Sequence, residues 1–228
     1  MTKNIALTLL YDKPCLPGFT GGWGLSFWID YNDEVILFDA GWNGEVLLAN
    51  CKEAGKNPED ISYIVLSHDH WDHVGGIVYL LNRNLPKLKG IVIPYSFSNH
   101  FKQELRSLAE VIEIPESQTP IKIASGIYSS GVMGTDVKEH SLLLENNSEQ
   151  ILVITGCSHP SPTDFMISAR KIAPIFGIAG GFHGFQDIEL FTDLKLIVPI
   201  HCTKEQQRIL HQYPLTARIM KVGETTLH

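Results

Sequence analysis

The sequence has few cysteines, no long apolar run and no cluster of positive charge. Cysteine occurs four times in 228 residues, at Cys15, Cys51, Cys157 and Cys202, and no two form a CxxC pair. This spacing disfavours a zinc knuckle, and a chain of this length does not need a disulfide framework. No apolar stretch reaches the length needed to span a bilayer. These absences predict a reduced, cytoplasmic protein with no membrane partner.

Positive charge is sparse as well. There are 18 Lys and Arg against 25 Asp and Glu, which gives a net charge of −7, and the basic residues never form a run. Binding to a nucleic-acid backbone needs a concentrated basic face, so no nucleic-acid partner is expected. An anionic substrate is still compatible with an acidic chain, because bound metal cations can reverse the local field. The segment Met1–Tyr11 lacks the long apolar stretch of a signal peptide and indicates a first strand.

Strand-like and helix-like segments define the fold class. The predicted strands are Ile5–Tyr11, Leu25–Asp30, Val35–Asp39, Ile61–Ser67, Ile91–Pro94, Val111–Ile114, Ile121–Ala124, Ile127–Ser130, Ser141–Glu145, Ile151–Thr155, Ile175–Ala179, Leu196–Ile200 and Ala217–Val222. The predicted helices are Glu45–Ala54, Val74–Leu81, Ser98–Leu108, Thr163–Ile172 and Thr203–Tyr213. Two β-rich stretches with interleaved helices predict an α+β fold, a four-layer αββα sandwich. With no linker-like segment and no short repeat, the prediction is a single domain over residues 1–228.

The segment between the first two predicted strands is rich in glycine and proline. It runs from Pro14 to Gly24 and carries two aromatic residues, Phe19 and Trp23. This composition predicts a loop. The aromatic side chains fit either a hairpin connection that they anchor or a flap over a substrate.

Six consecutive residues suggest the chemistry. The sequence His68-Asp69-His70-Trp71-Asp72-His73 directly follows a predicted buried strand. Ionisable groups gathered in so short a segment are costly to hold together, and where they are buried they must be neutralised, paired or metal-bound. In an extended segment, positions 68 and 70 point to the same side, and a turn into the following helix can direct Asp72 and His73 to a second ion. Asp69 and Trp71 are expected to point the other way, to the surface and into packing respectively.

Three further histidines follow apolar strands at their ends. They are His159, after Thr155-Gly156-Cys157-Ser158; His183, after Gly180-Gly181-Phe182; and His201, after Val198-Pro199-Ile200. Strand ends deliver side chains to a shared rim of a sheet. Their common context predicts that all three reach the metal site.

These segments resemble a known family. His68 to His73 is similar to the HxHxDH signature of the metallo-β-lactamase superfamily, and Leu37 to Gly41 is similar to its strand ending LFDTG. Three later segments, TGCSH (155–159), GGFH (180–183) and PIHCT (199–203), resemble one branch of it. The named member of that branch is the 7,8-dihydropterin-6-methyl-4-(β-D-ribofuranosyl)aminobenzene-5′-phosphate synthase. The resemblance covers nearly the whole chain.

The resemblance implies a set of site residues. His68 and His70 would bind the first metal, Asp72 and His73 the second, His201 would complete the second site, and His159 would join the cluster. Two divalent ions are implied, zinc in the first instance with Mn²⁺ or Fe²⁺ as alternatives. Asp39 would support the metal-binding loop without being a ligand itself. Asp72 and His183 would be the catalytic residues.

The chain departs from the family pattern at several positions. Ala40 replaces the usual Thr, and the usual bridging aspartate has no clear counterpart, since Cys157 or His159 stands in that region. His140 lies where other members place a third histidine and is a further candidate ligand. The segment from about Pro94 to Pro120 is shorter than in longer relatives.

The predicted function is a metal-dependent hydrolase that uses hydroxide bound by two metals on an ester, phosphodiester or cyclic amide of a small molecule. The substrate would be anionic or pterin-like. The alternative is a non-hydrolytic enzyme similar to the dihydropterin synthase, with Trp23, Phe182 and Phe185 able to stack on a heterocycle. Iron redox chemistry is disfavoured because His70 stands where such members have Glu. A catalytically idle ligand binder is disfavoured because the ligand set is complete.

Overall fold

The computed structural model describes residues 4–228, which form two compact units. The first unit comprises the chain up to Glu113 together with Lys221–His228, and the second comprises Ile114–Met220. Residues 1–3, which begin the predicted first strand segment, lie outside the described residues. The single domain over residues 1–228 stays a prediction.

Strands and helices alternate much as the sequence predicts. In chain order the strands are β1 (Ile5–Tyr11), β2 (Ser26–Tyr31), β3 (Glu34–Phe38), β4 (Tyr63–Val65), β5 (Gly90–Pro94), β6 (Val111–Ile114), β7 (Ile121–Ala124), β8 (Ile127–Ser129), β9 (Leu142–Glu145), β10 (Ile151–Thr155), β11 (Ile175–Gly180), β12 (Leu196–Pro199) and β13 (Thr225–Leu227). The α-helices are α1 (Gly44–Glu53), α2 (Trp71–Val74), α3 (Ile77–Leu81), α4 (Asn99–Leu108), α5 (Pro162–Ala169) and α6 (Gln206–Gln212). The Ser98 side chain accepts from Phe101 N and caps the start of α4.

The first unit contains a seven-stranded sheet in the order β13-β1-β2-β3-β4-β5-β6. Strands β1, β2 and β3 pair antiparallel, whereas β3, β4 and β5 pair parallel. The parallel strands are buried on both faces and are correspondingly apolar. Their side chains pack with α1 and α3 in one core cluster that includes Leu37, Ile64, Ile91, Leu47 and Leu80.

The second unit contains a six-stranded sheet in the order β12-β11-β10-β9-β8-β7. Strands β10, β11 and β12 are parallel, and β7 to β10 are antiparallel. Its core cluster includes Val153, Ile178 and Ile197 from the parallel strands, with Phe165 of α5 and Ile209 of α6. Two mixed sheets with helices confirm the predicted α+β class.

Two predicted elements were wrong. The predicted helix Val74–Leu81 is broken into α2 and α3 at Gly75 and Gly76. The predicted strand Ala217–Val222 is absent from the described chain, and its two end residues form only isolated bridges with different partners, Ile197 and Cys15. No continuous ladder can form between such separated partners, and β13 supplies the last strand instead.

Within residues 4–228, no helix has both the length and the apolar character that crossing a bilayer requires.

Candidate metal-binding residues and their setting

The ends of two neighbouring parallel strands place Asp39 beside the histidine loop of the first unit. In the register of β3 and β4, Phe38 lies opposite Val65, and Asp39 N donates to Val65 O at 2.8 Å. The chain therefore leaves both strands at the same edge of the sheet. Asp39 emerges from one strand, and Ser67 and His68 from the other.

The Asp39 carboxylate organises this loop from a fully buried position. It accepts hydrogen bonds from Ser67 N at 2.7 Å, from Ser67 Oγ at 2.8 Å and from His73 Nδ1 at 2.6 Å. Asp39 has a φ of 57°, a left-handed conformation that Asp tolerates better than most residues. With three donors on its carboxylate, Asp39 holds the histidine loop, which is the position that the family resemblance implied for it.

These hydrogen bonds also set the tautomers of two histidines. His73 donates from Nδ1 to Asp39, which in the neutral imidazole leaves the lone pair on Nε2. Ser67 Oγ uses its single hydrogen toward Asp39 and therefore accepts from His68 Nδ1 at 2.9 Å. His68 Nε2 then carries a lone pair as well. A neutral imidazole with an available lone pair is the form that binds a metal.

The four predicted ligands of the first unit lie close together. His68 Nε2 is 3.1 Å from His70 Nδ1, and the rings of His68 and His73 have centroids 4.2 Å apart. Asp72 and His73 lie on α2, with Asp72 Oδ2 3.8 Å from His73 Nε2. His68 and His73 are completely buried. The structure thus gathers three imidazoles and one carboxylate around one short loop.

The glycines after α2 allow this crowding. A Cβ atom at Gly75 or Gly76 would collide with the backbone carbonyl oxygens of Trp42 or Ala40 respectively. Gly76 N also donates to Gly41 O at 3.1 Å. The close approach of the segment after β3 requires glycine here, and the same close approach coincides with the break between α2 and α3.

The remaining two residues of the motif differ from each other. Asp69 is exposed, as predicted. Trp71 was expected to pack, but half of it is exposed, and it contacts the equally exposed Trp42 edge-on with ring centroids 4.3 Å apart. The two tryptophans form a surface aromatic pair directly beside the histidine loop.

The glycine- and proline-rich loop touches the histidine loop at its end. Leu25 N donates to Asp72 O at 3.1 Å, and a Cβ on Gly24 would lie 2.6 Å from the same oxygen. Phe19 packs against Gly223, whereas Trp23 is 46% exposed. Phe19 therefore anchors the loop, as a hairpin connection would require. Trp23 stays at the surface, as a flap over a substrate would require.

Ser67 is a residue that the sequence reasoning missed, and its role can be tested. In Ser67→Ala, His68 Nδ1 loses its acceptor and the tautomer of His68 is no longer fixed. We expect metal affinity to fall about tenfold, the lower end of the range for residues that orient ligands. Isothermal titration of the apoprotein with Zn²⁺ measures this. Ser26→Ala is the matched control, because Ser26 Oγ is also buried but donates to the backbone oxygen of Asp39; equal losses in both variants would contradict the role of Ser67.

In the second unit, three parallel strand ends carry the other predicted residues. Strands β10, β11 and β12 are adjacent, and Thr155 lies opposite Gly180, which lies opposite Pro199. The segments that follow carry Cys157 and His159, then His183, then His201 and Cys202. The expectation of a shared rim is met for these three segments.

Glu139 holds the segment after β10 and was also missed from sequence. Its buried carboxylate accepts backbone hydrogen bonds from Cys157 and Ser158 at 2.9 Å and from His159 at 2.8 Å. These contacts fix the turn in which Ser158 has a φ of 59°. The only sequence signal was an acidic residue next to His140.

A substitution of Glu139 should therefore destabilise the second unit. In Glu139→Gln, an amide N–H₂ replaces an acceptor oxygen, and at least one buried N–H loses its partner. We expect a loss of about 1–3 kcal/mol in the free energy of unfolding. Urea denaturation followed by circular dichroism measures it, with the exposed Glu189→Gln as control. A loss no larger than that of the control would show that the three hydrogen bonds carry no net stability.

His201 lies in a group of potential metal ligands that includes two sulfurs. Cys157, His201 and Cys202 each offer one ligand atom, and these three atoms lie within 4.8 Å of one another. A hydrogen bond with the Cys157 side chain, the charge of His201 and hydrogen bonds with His183 lower the pKa of the Cys202 thiol to about 5, although burial acts in the opposite direction. By contrast, burial raises the pKa of the Cys51 thiol to about 12.

His159 lies against His183 and is not a member of that group. Their ring centroids are 5.1 Å apart, and both line a cavity of about 280 Å³ together with Phe182 and Phe185. His159 also lines a second cavity of about 520 Å³ with Glu116, Met133 and Asp164. His183 itself is exposed and has a φ of 44°, so its imidazole is at the surface of the smaller cavity.

His140, the further candidate ligand, is completely buried. Its Nδ1 lies 2.8 Å from Ser129 Oγ, which also accepts from Gly131 N at 3.1 Å. It belongs to none of the ligand groups found among the described residues. The structure therefore gives it a hydrogen-bonded place in the interior.

Comparisons with known proteins identify the family and the fold of the chain. The family model of the metallo-β-lactamase superfamily matches residues 20–171, which is more than half of the chain. The chain belongs to the metallo-β-lactamase superfamily. A solved structure described as a metal-dependent hydrolase of the β-lactamase superfamily superposes with a TM-score of 0.73 at 20% identity, covering 97% of this chain and 98% of the other. The predicted metallo-β-lactamase fold is thus confirmed.

Two curated relatives come from Methanocaldococcus jannaschii. One is an uncharacterised protein, 28% identical over 231 residues, covering 86% of this chain and 90% of the relative. The other is the 7,8-dihydropterin-6-methyl-4-(β-D-ribofuranosyl)-aminobenzene-5′-phosphate synthase, 27% identical over 219 residues, covering 76% of this chain and 73% of the relative. The resemblance to the branch of this synthase is confirmed.

Proposed function

We propose that this protein is a metal-dependent hydrolase whose two divalent ions, zinc in the first instance, are bound by His68, His70, Asp72, His73, His159 and His201. The observation that carries the proposal is the Asp39 network. It orients His68 and His73 so that each carries its lone pair on Nε2. Imidazole nitrogens and a carboxylate oxygen are the donor set that suits Zn²⁺, so the residues fit the ions that the superfamily implies.

The ions, when bound, supply an acidified water and polarise the oxygen of the bond to be cleaved. The residues of the chain do the rest. Asp72 holds its place through its buried position on α2 and accepts a proton from the attacking water. His183, at the surface of the smaller cavity, donates a hydrogen bond to the oxygen on which charge develops.

The dimensions of the cavities support a small substrate. A cavity of about 280 Å³ lined by His159, His183 and two phenylalanines has room for a compact molecule with one apolar face. The adjoining cavity of about 520 Å³ is lined by both polar and apolar groups. An ester, a phosphodiester or a cyclic amide of a small molecule fits this setting.

Metal analysis paired with an activity measurement tests the proposal. Protein purified without chelators is analysed for metal content and assayed with bis-p-nitrophenyl phosphate. About two zinc or manganese ions per chain together with turnover is the expected result. Two ions without turnover would contradict the proposed hydrolysis but support the proposed metal binding. No metal would mean that the histidine loop has another role.

A second candidate function follows from one relative. Similarity to the dihydropterin synthase over 76% of this chain favours an enzyme that joins a pterin to a ribofuranosylaminobenzene phosphate. Phe182 and Phe185 line the smaller cavity. Phe185 is the less buried of the two, so its ring is the one that can stack on a flat heterocycle. Product analysis after incubation with a dihydropterin pyrophosphate and the aminobenzene phosphate separates the two. A condensed product with pyrophosphate released would identify a synthase, and hydrolysis of either compound alone would identify a hydrolase.

A further inference from the structure

We propose that Cys157 and Cys202 bind a metal ion through sulfur together with His201, so that the second unit contributes a site with two thiolates and one imidazole. The inference deepens the proposed function, on which it rests for the role of His201 as a ligand. It adds two ligands of a different chemical type, sulfur, to a set otherwise made of nitrogen and oxygen.

The geometry of the strand end brings the three side chains together. His201 has a φ of 56°, a left-handed conformation that is uncommon for residues other than glycine. In an extended strand, consecutive side chains point to opposite faces. The left-handed turn at His201 ends that alternation, so His201 and its neighbour Cys202 can direct ligand atoms into the same volume. Cys157 reaches this volume from the end of β10.

Gly181 makes room for the sulfur of Cys202. A Cβ atom at this position would lie 2.6 Å from Cys202 Sγ and 3.1 Å from the Cα of Cys157. Cys202 Sγ is also 3.7 Å from the carbonyl oxygen of Cys157. The segment after β11 thus gives the two cysteines a common space that a larger residue at 181 would fill.

The spacing of the ligand atoms suits a zinc ion. Zinc bonds of about 2.3 Å to sulfur and about 2.0 Å to nitrogen in a tetrahedron separate the ligand atoms by about 3.5–4 Å. The three atoms here lie within 4.8 Å of one another, so small side-chain rotations are sufficient. Sulfur ligands favour zinc and other soft ions over Mg²⁺ or Mn²⁺. With these sulfur ligands the site would therefore select zinc, whereas a carboxylate ligand in the same place would also accept harder ions.

Cobalt substitution tests the inference with a readout that does not depend on turnover. Apoprotein kept reduced with a phosphine is titrated with Co²⁺ to two equivalents, and its absorption spectrum is recorded. We expect a thiolate-to-cobalt charge-transfer band in the near ultraviolet in addition to the visible ligand-field bands. Cys157→Ser and Cys202→Ser should each lower the intensity of that band by about half, because each removes one of two cobalt–sulfur bonds. The matched controls are Cys51→Ser, buried, and Cys15→Ser, exposed, both in the first unit.

Visible cobalt bands in the unsubstituted protein without a charge-transfer band would overturn the inference, whatever the serine variants do. A charge-transfer band that neither substitution at 157 or 202 weakens would overturn it too. The outcome is separate from that of the proposed function. Hydrolysis of the phosphodiester without cobalt–sulfur absorption would leave the hydrolase proposal intact, whereas the absorption without hydrolysis would establish the sulfur site alone.

Discussion

Asp72→Ala is expected to lower the turnover of a phosphodiester by about 10²–10⁴-fold, the contribution typical of a positioned proton acceptor, and to lower the metal content by about one ion per chain. Asp72 is the carboxylate of the histidine loop that faces its imidazoles, with Oδ2 3.8 Å from His73 Nε2. Its side chain is 9% exposed and therefore largely shielded from water. The variant removes both a ligand and a proton acceptor. Elemental analysis and steady-state kinetics at saturating zinc measure the two effects separately.

The same loop offers a matched control. Asp69 is three residues away, has the same side chain and is exposed. Asp69→Ala should retain two metal ions and full activity. If both alanine variants lost activity equally, a general disturbance of the loop would explain the effect, and the proposed role of Asp72 would be wrong. Full activity with two metal ions in Asp72→Ala would end the assignment directly.

The strands that position the site residues could be predicted from the sequence. Residues that follow parallel strands emerge at the same edge of the sheet. Buried apolar strands are recognised by composition, and the residues after them emerge at one edge of a parallel sheet. Asp39 and Ser67 meet because β3 and β4 are neighbours, and Cys157 and His201 meet because β10, β11 and β12 are neighbours. The rule places side chains at an edge but does not say which of them make hydrogen bonds.

The residues that sequence reasoning missed act through contacts between segments far apart in the chain. Glu139 accepts from His159, 20 residues later, and its role depends on the turn after β10, which no local pattern encodes. Ser67 is adjacent to the motif, but its role depends on the carboxylate of Asp39, 28 residues earlier. Trp71 was expected to point away from the metal loop and into packing, yet its partner Trp42 is itself at the surface.

The errors at Gly75 and at Ala217–Val222 have the same origin. A helical pattern from Val74 to Leu81 is sound locally, and Gly75 and Gly76 keep right-handed helical dihedral angles. The helix is interrupted because Gly76 N donates to Gly41 O in the segment after β3 instead of to the preceding helical turn. Residues 217–222 have the composition of a strand, but their bridging partners lie in different units, so a ladder cannot extend. Local propensity is overridden where tertiary contacts decide.

Asp39→Asn is expected to lower zinc affinity by about 10–100-fold, the range for residues that orient metal ligands. Asn tolerates the left-handed φ of 57° and has nearly the same shape, so the backbone can stay in place. What changes is the hydrogen bonding. The amide N–H₂ cannot accept a hydrogen bond, so Ser67 or His73 loses its acceptor. Where His73 loses it, the tautomer with the proton on Nδ1 is no longer favoured. A proton on Nε2 would occupy the lone pair that the metal needs. The free energy of unfolding should also fall, by about 1–3 kcal/mol for the buried donor left without a partner.

Two measurements separate these effects. Zinc affinity from competition with a chromophoric chelator reports on the ligands, and urea denaturation of the apoprotein reports on stability. Asp60→Asn is the control, because Asp60 also pairs with a basic side chain but does so at the surface, with Lys87 Nζ at 2.7 Å. Its zinc affinity should equal that of the unsubstituted protein. Unchanged affinity in Asp39→Asn, with stability lowered, would mean that the carboxylate stabilises the fold but does not set the tautomers, and the central support for the hydrolase proposal would be lost.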